Sequence, residues 1–130
     1  MTRTRRSAKA AGSRFERQIA DHLAAHVDDR IDRRVKTGSK DRGDIAGLRH
    51  MGERIVIECK NTTRVDLAGW IGEAHVQAGN DDALTGLVAH KRHGKGYVGD
   101  QWITMTVDDL IAILTGARPA PVAEDIEEAS

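Results

Sequence analysis

The segment Arg42–Asn61, RGDIAGLRHMGERIVIECKN, constrains the fold most, because it holds two short apolar runs on either side of a glycine-containing turn. We predict one strand over residues 44 to 48 and a second over residues 54 to 60, joined through residues 50 to 53. Side chains alternate between the faces of a strand. One face of the second strand is therefore apolar and is predicted to point into a core: Ile55, Ile57 and Cys59.

Three charged residues converge if these strands pair as an antiparallel hairpin. The start of the first strand then lies beside the end of the second, which places Asp44 next to Glu58 and Lys60. Two carboxylates and an ammonium group can hold a divalent metal ion against a phosphate and place a cation beside it. The alternative is a solvated cluster of salt bridges on an exposed sheet face, which would contribute little to stability.

The elements on both sides of the hairpin predict a small α/β domain. Apolar residues recur at helical spacing in three segments, which we predict as helices from Ser13 to His26, from Asp66 to Asn80 and from Thr106 to Gly116. Three more segments are predicted as strands: Ile31–Thr37, Leu84–His90 and Gln101–Met105. The order α-β-β-β-α-β-β-α predicts a single small domain with a central mixed β-sheet flanked by helices.

Glu16 has two possible roles. It is three residues after Ser13 and so fits the N3 position of a capping box at the start of the first helix. It also borders the apolar stripe of that helix and could lean over the sheet as a third carboxylate. Helix geometry alone favours the cap.

A polar loop and a helix glutamine could also belong to a site that binds phosphate. The polar loop Gly38–Gly43 contains Ser39 and Lys40 directly ahead of Asp44, and Gly, Ser and Lys in such a loop are suited to contacting a phosphate. Gln77 lies beside the apolar stripe of the second helix and could reach the same face. A surface turn is the alternative for the loop.

The chain has no net charge, yet its halves differ strongly. Residues 1 to 64 carry sixteen Lys and Arg against nine Asp and Glu, a net of +7, whereas residues 65 to 130 carry four against eleven, a net of −7. The basic half has the polarity of a surface that faces phosphates. We predict a flexible basic arm over residues 1–12, the folded domain over 13–116 and a disordered acidic tail over 117–130.

The predicted contacts to nucleic acid are mostly cations of this basic half and of the loop 91–96. They are Arg3, Arg5, Arg6, Lys9, Arg14, Lys36, Ser39, Lys40, Arg42, Lys91, Arg92 and Lys95. For residues 1 to 12 an ordinary solvated tail is an equally good interpretation.

Other features restrict the class of protein. No apolar run approaches the length of a membrane span, and the N-terminus has no apolar leader core, so we expect no membrane association and no secretion. The single cysteine, Cys59, excludes an internal disulfide and a cysteine-cluster metal site, which fits an intracellular protein.

With these elements in order, the chain resembles nucleases of the PD-(D/E)XK superfamily, and within it the archaeal-type Holliday junction resolvases, small examples of which occur in viruses. The resemblance covers about Gly12 to Leu114. It depends on a helix with GSRFER, a GSK loop, GDI, the strand IVIECKN and a helix bearing Gln77. It departs from the superfamily pattern at Gly43, where a proline commonly precedes the aspartate.

The resemblance implies a restriction-endonuclease-like core, a catalytic role for several residues and a two-fold homodimer acting on four-way DNA junctions. Asp44, Glu58 and the Cys59 backbone carbonyl would bind Mg²⁺, with Mn²⁺ as a possible substitute, and Glu16 would complete the metal site. Lys60 would orient the attacking water or stabilise charge on the phosphate, and Ser39 and Gln77 would lie near the scissile phosphate. We expect Trp102, Ile103 and the last helix to form the dimer surface.

Two other functions remain open at this point. One is a restriction-like or repair nuclease that cuts linear duplex or single-stranded DNA. The other is a DNA-binding module that does not use its metal site, against which the complete set of Glu16, Asp44, Glu58 and Lys60 argues.

Overall fold

A computed structural model of the chain describes residues 3–36 and 38–120. The described residues form three α-helices, namely α1 (Arg5–His26), α2 (Leu67–Asn80) and α3 (Val107–Thr115). They also form six strands, namely β1 (Asp32–Arg33), β2 (Ile45–Ala46), β3 (Arg49–His50), β4 (Glu53–Lys60), β5 (Thr85–His90) and β6 (Trp102–Thr104). A short 3₁₀ turn, Val98–Asp100, precedes β6.

The strands form one mixed sheet in the order β1-β2-β4-β5-β6, with β3 paired to β4 beside this path. β4 and β5 are parallel and are joined through α2, as parallel neighbours must be joined by a crossover, and the other pairs are antiparallel. The predicted small α/β domain with a central mixed sheet is confirmed. The difference is that the strand predicted over residues 44 to 48 is shorter, as β2, and is followed by a separate strand, β3, beyond its predicted end.

A bulge separates β2 from β3. Ile45 is opposite Ile57, whereas Arg49 is opposite Arg54, so the β2–β3 side contains one residue more than β4 between these pairs. Gly47 lies in the extra length with φ +85°, the left-handed conformation that glycine adopts without steric cost. The hairpin then closes through two residues, Met51 and Gly52, instead of the four that we predicted. The bulge shifts the register by one residue, and in the shifted register Asp44 lies beside Glu58.

β4 lies at the centre of the sheet and is buried on both faces. Ile55, Ile57 and Cys59 pack in one cluster with Phe15 and Ile19 of α1, which confirms the predicted apolar face. On the opposite face, Val56 packs against Ala78 of α2. The helices therefore cover the sheet from both sides.

The start of α1 differs from our prediction. The helix begins at Arg5 rather than after Ser13, because Thr4 caps it in a reciprocal capping box with Ser7. The prediction of Ser13 as N-cap, with Glu16 at N3, is therefore wrong. Residues 5–12, which we expected to be part of a flexible arm, form the first turns of the helix, in keeping with their content of alanine, arginine and lysine.

The C-terminal elements agree better with the sequence. Thr106 and Asp109 form the predicted capping box of α3, and Gly116 ends the helix in the left-handed conformation. Arg118, which we assigned to the tail, donates a hydrogen bond to the Leu84 carbonyl oxygen at 2.8 Å and so belongs to the folded part. The rest of the predicted acidic tail, from residue 121, lies outside the described residues. β1 and β6 are shorter than the strands predicted over residues 31–37 and 101–105.

Candidate active site

Asp44 and Glu58 are buried side by side rather than solvated. Asp44 is 4% exposed and Glu58 is 7% exposed, so the alternative of a surface salt-bridge cluster is wrong for this pair. The Asp44 carboxylate accepts a hydrogen bond from the Cys59 backbone N–H at 2.8 Å. The register of β2 and β4 thus places the two acids together, as the hairpin predicted.

The proximity of these acids changes the protonation of Glu58. Burial raises the pKa of Glu58, the negative charge of Asp44 raises it further, and together they bring it to about 8. Its Oε2 atom is buried without a hydrogen-bond partner in the described part of the chain. A buried, unpartnered carboxylate oxygen is costly unless a proton or a cation satisfies it.

Lys60 is held between two carboxylates. Its Nζ lies 3.9 Å from Oε1 of Glu58 and 2.8 Å from Oε2 of Glu73 on α2. Burial opposes the charged form, but the hydrogen bond to Glu73 and the charge of Glu58 prevail and raise the pKa of Lys60. The ammonium group is therefore charged at neutral pH. Our sequence analysis missed Glu73, although it is four residues before Gln77 and so shares a helix face with it.

Gln77 and Asp41 fasten the polar loop to the site. Gln77 is buried, and its Nε2 donates a hydrogen bond to Oδ2 of Asp41 at 3.3 Å. The other oxygen of Asp41 accepts from the Gly43 backbone N–H at 2.9 Å. Asp41 therefore fixes the segment directly before Asp44. The sequence analysis missed this residue, for which the Asp-x-Gly pattern of an Asx turn was the available signal.

The glycine ahead of Asp44 is required by its backbone conformation. Gly43 has φ +94°, which proline cannot adopt because its ring holds φ near −65°. A Cβ atom at this position would also lie 2.6 Å from Cγ1 of Val56. The departure from the superfamily proline therefore reflects a tight approach of the loop to β4.

Glu16 is engaged elsewhere in this structure. Its Oε2 lies 3.0 Å from the Arg33 guanidinium. Burial raises the pKa of Glu16 and the charge of Asp44 adds to this effect, so the two carboxylates are close enough to interact. Among the described residues, no group of three or more His, Cys, Asp or Glu is placed to hold a metal ion. The structure thus brings Asp44, Glu58 and Lys60 together, but not Glu16.

The predicted nucleic-acid contacts fall into three places. Lys36, Ser39, Lys40 and Arg42 lie around a cavity of about 220 Å³ at the polar loop. Arg5, Arg6, Lys9 and Arg14 are exposed along α1, and Arg3 reaches the end of β4. Lys91, Arg92 and Lys95 follow β5, where the Lys91 ammonium donates to the Lys95 carbonyl and Arg92 stacks 4.4 Å above the Trp102 ring.

The donor atoms at the centre fit a hard divalent cation. Asp44 and Glu58 offer carboxylate oxygens, which Mg²⁺ and related ions prefer. Burial raises the pKa of the Cys59 thiol far above its usual range, so this residue can contribute only its backbone carbonyl. The unpartnered Oε2 of Glu58 is the atom whose burial such an ion would compensate.

A mixed sheet that carries an Asp and a Glu-x-Lys on neighbouring strands is compatible with the restriction-endonuclease-like fold of the PD-(D/E)XK nuclease superfamily. The model of one family, described as "Phage putative PDDEXK endonuclease", matches residues 7–123, and the chain belongs to this family. Nucleases of this superfamily generally use divalent metal ions, and DNA is the substrate that the family implies. Neither a curated protein nor a solved structure matches the chain significantly. Within the described ranges, every helix is too short or too polar to cross a membrane.

Proposed function

We propose that this protein is a Mg²⁺-dependent endonuclease that hydrolyses phosphodiester bonds in branched DNA, as a Holliday junction resolvase acting inside the host cell. The observation that carries the proposal is the buried pair of Asp44 and Glu58, with one unpartnered oxygen, directly beside the charged Lys60. Most buried carboxylate oxygens in proteins have a hydrogen-bond partner, so this one is accounted for if a cation binds there. The proposal adds a specific metal ion and a specific kind of DNA substrate to the nuclease activity of the family.

Asp44, Glu58 and the Cys59 carbonyl would hold the metal ion, and Mn²⁺ could replace Mg²⁺. When bound there, the ion supplies Lewis-acid polarisation of a phosphoryl oxygen. Glu58 would release its proton when the metal ion binds and would be ionised in the metal-bound protein. Glu16 could bind the metal ion only after breaking its ion pair with Arg33.

Lys60 would offset the negative charge that develops on the phosphate during in-line attack. Its ammonium is already fixed by Glu73 and needs little reorganisation. Ser39 and Lys40 would bind a phosphate at the loop cavity, and Gln77 would hold that loop in place through Asp41.

A resolvase makes two symmetric nicks, so we propose a two-fold homodimer. β6 is an edge strand that pairs only with β5 among the described strands. Trp102 and Ile103 on β6 are 48% and 49% exposed, and Leu114 of α3 is 69% exposed. An exposed edge strand beside apolar side chains is suited to pairing with a second copy. Sedimentation of the protein and of an Ile103→Asp variant tests this: a wild type that is monomeric while making paired nicks would contradict it.

Cleavage of three substrates tests the activity: a synthetic four-way junction, a duplex of the same sequence and a single strand, each with Mg²⁺ and with EDTA. We expect paired, metal-dependent nicks in the junction only, and none with Asp44→Asn. Cutting of linear duplex or single strands at similar rates would instead favour a restriction-like or repair nuclease. Binding without cutting, unchanged by Asp44→Asn, would identify a non-catalytic DNA-binding module.

Lys60→Ala separates catalysis from binding. If Lys60 stabilises the transition state, its loss lowers the cleavage rate by about 10²-fold or more, while junction binding in EDTA is retained. A change in rate below about twofold would refute this role.

A further inference from the structure

Three cavities beside α1 share lining residues, and one of them is lined by Lys60 of the candidate active site. The first, about 370 Å³, lies between Ala8 and Gly12 of α1 and the end of β4, including Lys60. The second, about 590 Å³, lies beside Glu16 and shares Gly12 with the first. The third is the cavity at the polar loop, which shares residues 34–36 with the second. We call this continuous depression the α1 groove.

Cations line both ends of the α1 groove. Arg3 faces the first cavity, and Lys36 and Lys40 face the third. Among the acids along its walls, Glu16 is paired with Arg33 and Asp32 with Arg17, whereas Asp41 is held by neutral hydrogen-bond donors. Within the described residues the lining cations without an ion pair outnumber this one acid, which suits a polyanion.

Arg3 is prepositioned at one end. Its guanidinium donates to the Asn61 carbonyl at 2.7 Å, which places it one residue beyond Lys60 at the end of β4. The contact joins the N-terminal segment to the strand that carries Glu58. A cation held there lies at the same end of β4 as Lys60.

Gly12 leaves the groove open where the first two cavities meet. It occupies the interior of a 22-residue helix, where glycine is destabilising relative to alanine. A Cβ atom at Gly12 would meet nothing within 4 Å, so packing within the protein does not demand a glycine. The space that it leaves is open to a ligand, at the point where the first two cavities meet.

We propose that one strand of the DNA lies in the α1 groove, with its backbone closest to the helix at Gly12 and with Arg3 and Lys36 binding phosphates on opposite sides of the cleaved bond. This inference rests on the proposed nuclease function and adds the path of the substrate to it. The N-terminal half of α1 is then a wall of the substrate site rather than an arm outside it.

Side chains of increasing size at Gly12 test this path. Gly12→Ala leaves the groove open, whereas Gly12→Leu fills it with a residue that favours helix. The matched control is Gly72→Leu, because Gly72 is also a helical glycine with nothing within 4 Å of a Cβ atom and borders none of the three cavities. We expect Gly12→Leu to weaken binding of the wild type's substrate about tenfold or more, measured by fluorescence anisotropy in EDTA, and the other two variants to bind as the wild type does.

Circular dichroism melts establish that each variant folds, and Gly12→Gln replaces Gly12→Leu if the leucine causes aggregation. If the wild type cuts DNA and the bulky variant at Gly12 binds and cuts as well as the wild type does, the strand path is wrong while the nuclease function stands. If the wild type cuts none of the substrates, the proposed function fails, and the binding comparison still decides whether DNA occupies the groove.

Discussion

The ammonium of Lys60 lies closer to Glu73 of α2, at 2.8 Å, than to Glu58 on its own strand, at 3.9 Å. The side chain that we propose to act on the phosphate is thus oriented by a helix that carries none of the proposed metal ligands. Glu73 is half exposed, so the pair is screened by solvent and its contribution to stability is small. Its effect should instead be seen in the position and charge of Lys60.

We predict that Glu73→Gln lowers the cleavage rate about two- to fivefold with little change in KM, as expected for the loss of a partly exposed ion pair. Since Glu73 helps to raise the pKa of Lys60, the alkaline limb of the pH–rate profile should also move to lower pH. The measurement is single-turnover cleavage between pH 8 and 11, which reaches the range where lysine deprotonates. Glu53→Gln, at the exposed start of β4, is the control, and an unshifted alkaline limb would contradict the positioning role.

Glu58 should make the metal-free protein less stable as pH rises. Its pKa is about 8 in the folded protein and near 4.5 when unperturbed, so the folded state retains a proton that the unfolded chain releases. The stabilisation is complete below about pH 4.5 and is lost as pH rises to about 8. Melting temperatures in EDTA from pH 5 to 9 should therefore fall less steeply for Glu58→Gln than for the wild type. Equal slopes would show that Glu58 is ionised without metal.

Asp41→Asn should disturb the loop that carries Ser39. An amide can replace only one of the two carboxylate oxygens, so either the Gly43 N–H or the Gln77 amide loses its acceptor. A lost hydrogen bond of about 1 kcal/mol corresponds to a rise in KM of about fivefold. Steady-state cleavage measures this, with the exposed Asp29→Asn as the control. A fall in kcat at constant KM would instead place Asp41 in the chemical step.

Asp109 should be important for stability rather than activity. It is buried and accepts hydrogen bonds from the Thr85 hydroxyl, from His75 and from the Thr106 backbone N–H at 2.8 Å. Asp109→Asn is expected to cost about 1–3 kcal/mol in urea unfolding, because the cap of α3 and buried partners lose their acceptor. The neighbouring, exposed Asp108→Asn should have little effect.

The pH dependence of Asp109 has the opposite sign to that of Glu58. Burial would raise the pKa of Asp109, but the hydrogen bonds from Thr85 and His75 outweigh it and lower the pKa below its usual value near 3.8. Its stabilisation is present above that value and is lost as pH falls through the lowered pKa. Acid unfolding of Asp109→Asn should therefore lack this component.

Local periodicity predicted the position of the charged residues but not of the residues that hold them in place. The alternation along β4 and the position of Asp44 in the hairpin were sufficient to place three charges together, since strand geometry has a fixed period of two. The contacts of Asp41 with Gln77 and of Lys60 with Glu73 join β4 or its flanking loop to α2 through space. Such pairs depend on how a helix packs on the sheet, which no short-range pattern encodes.

The start of α1 was mispredicted for a different reason. Ser13 and Glu16 satisfy the spacing of a capping box as well as Thr4 and Ser7 do, and the apolar stripe begins only near Phe15. Residues 5–12 have favourable helix propensity and no break, so the helix continues N-terminally beyond the part that is packed. Hydrophobic periodicity indicates where a helix is buried rather than where it begins.

The central position of β4 also determines how readily different parts of the site unfold locally. β4 pairs with β2, β3 and β5 and is buried on both faces, so its amide protons should exchange with deuterium only through the largest unfolding events. Residues 38–42, which carry Ser39 and Lys40, are exposed and should exchange within the shortest labelling times. The acids thus reside in the most persistent unit of the molecule, and the cations before them in one of the least. In the proposed nuclease, the loop could therefore change its conformation to fit a DNA of irregular shape while the buried carboxylates keep their positions.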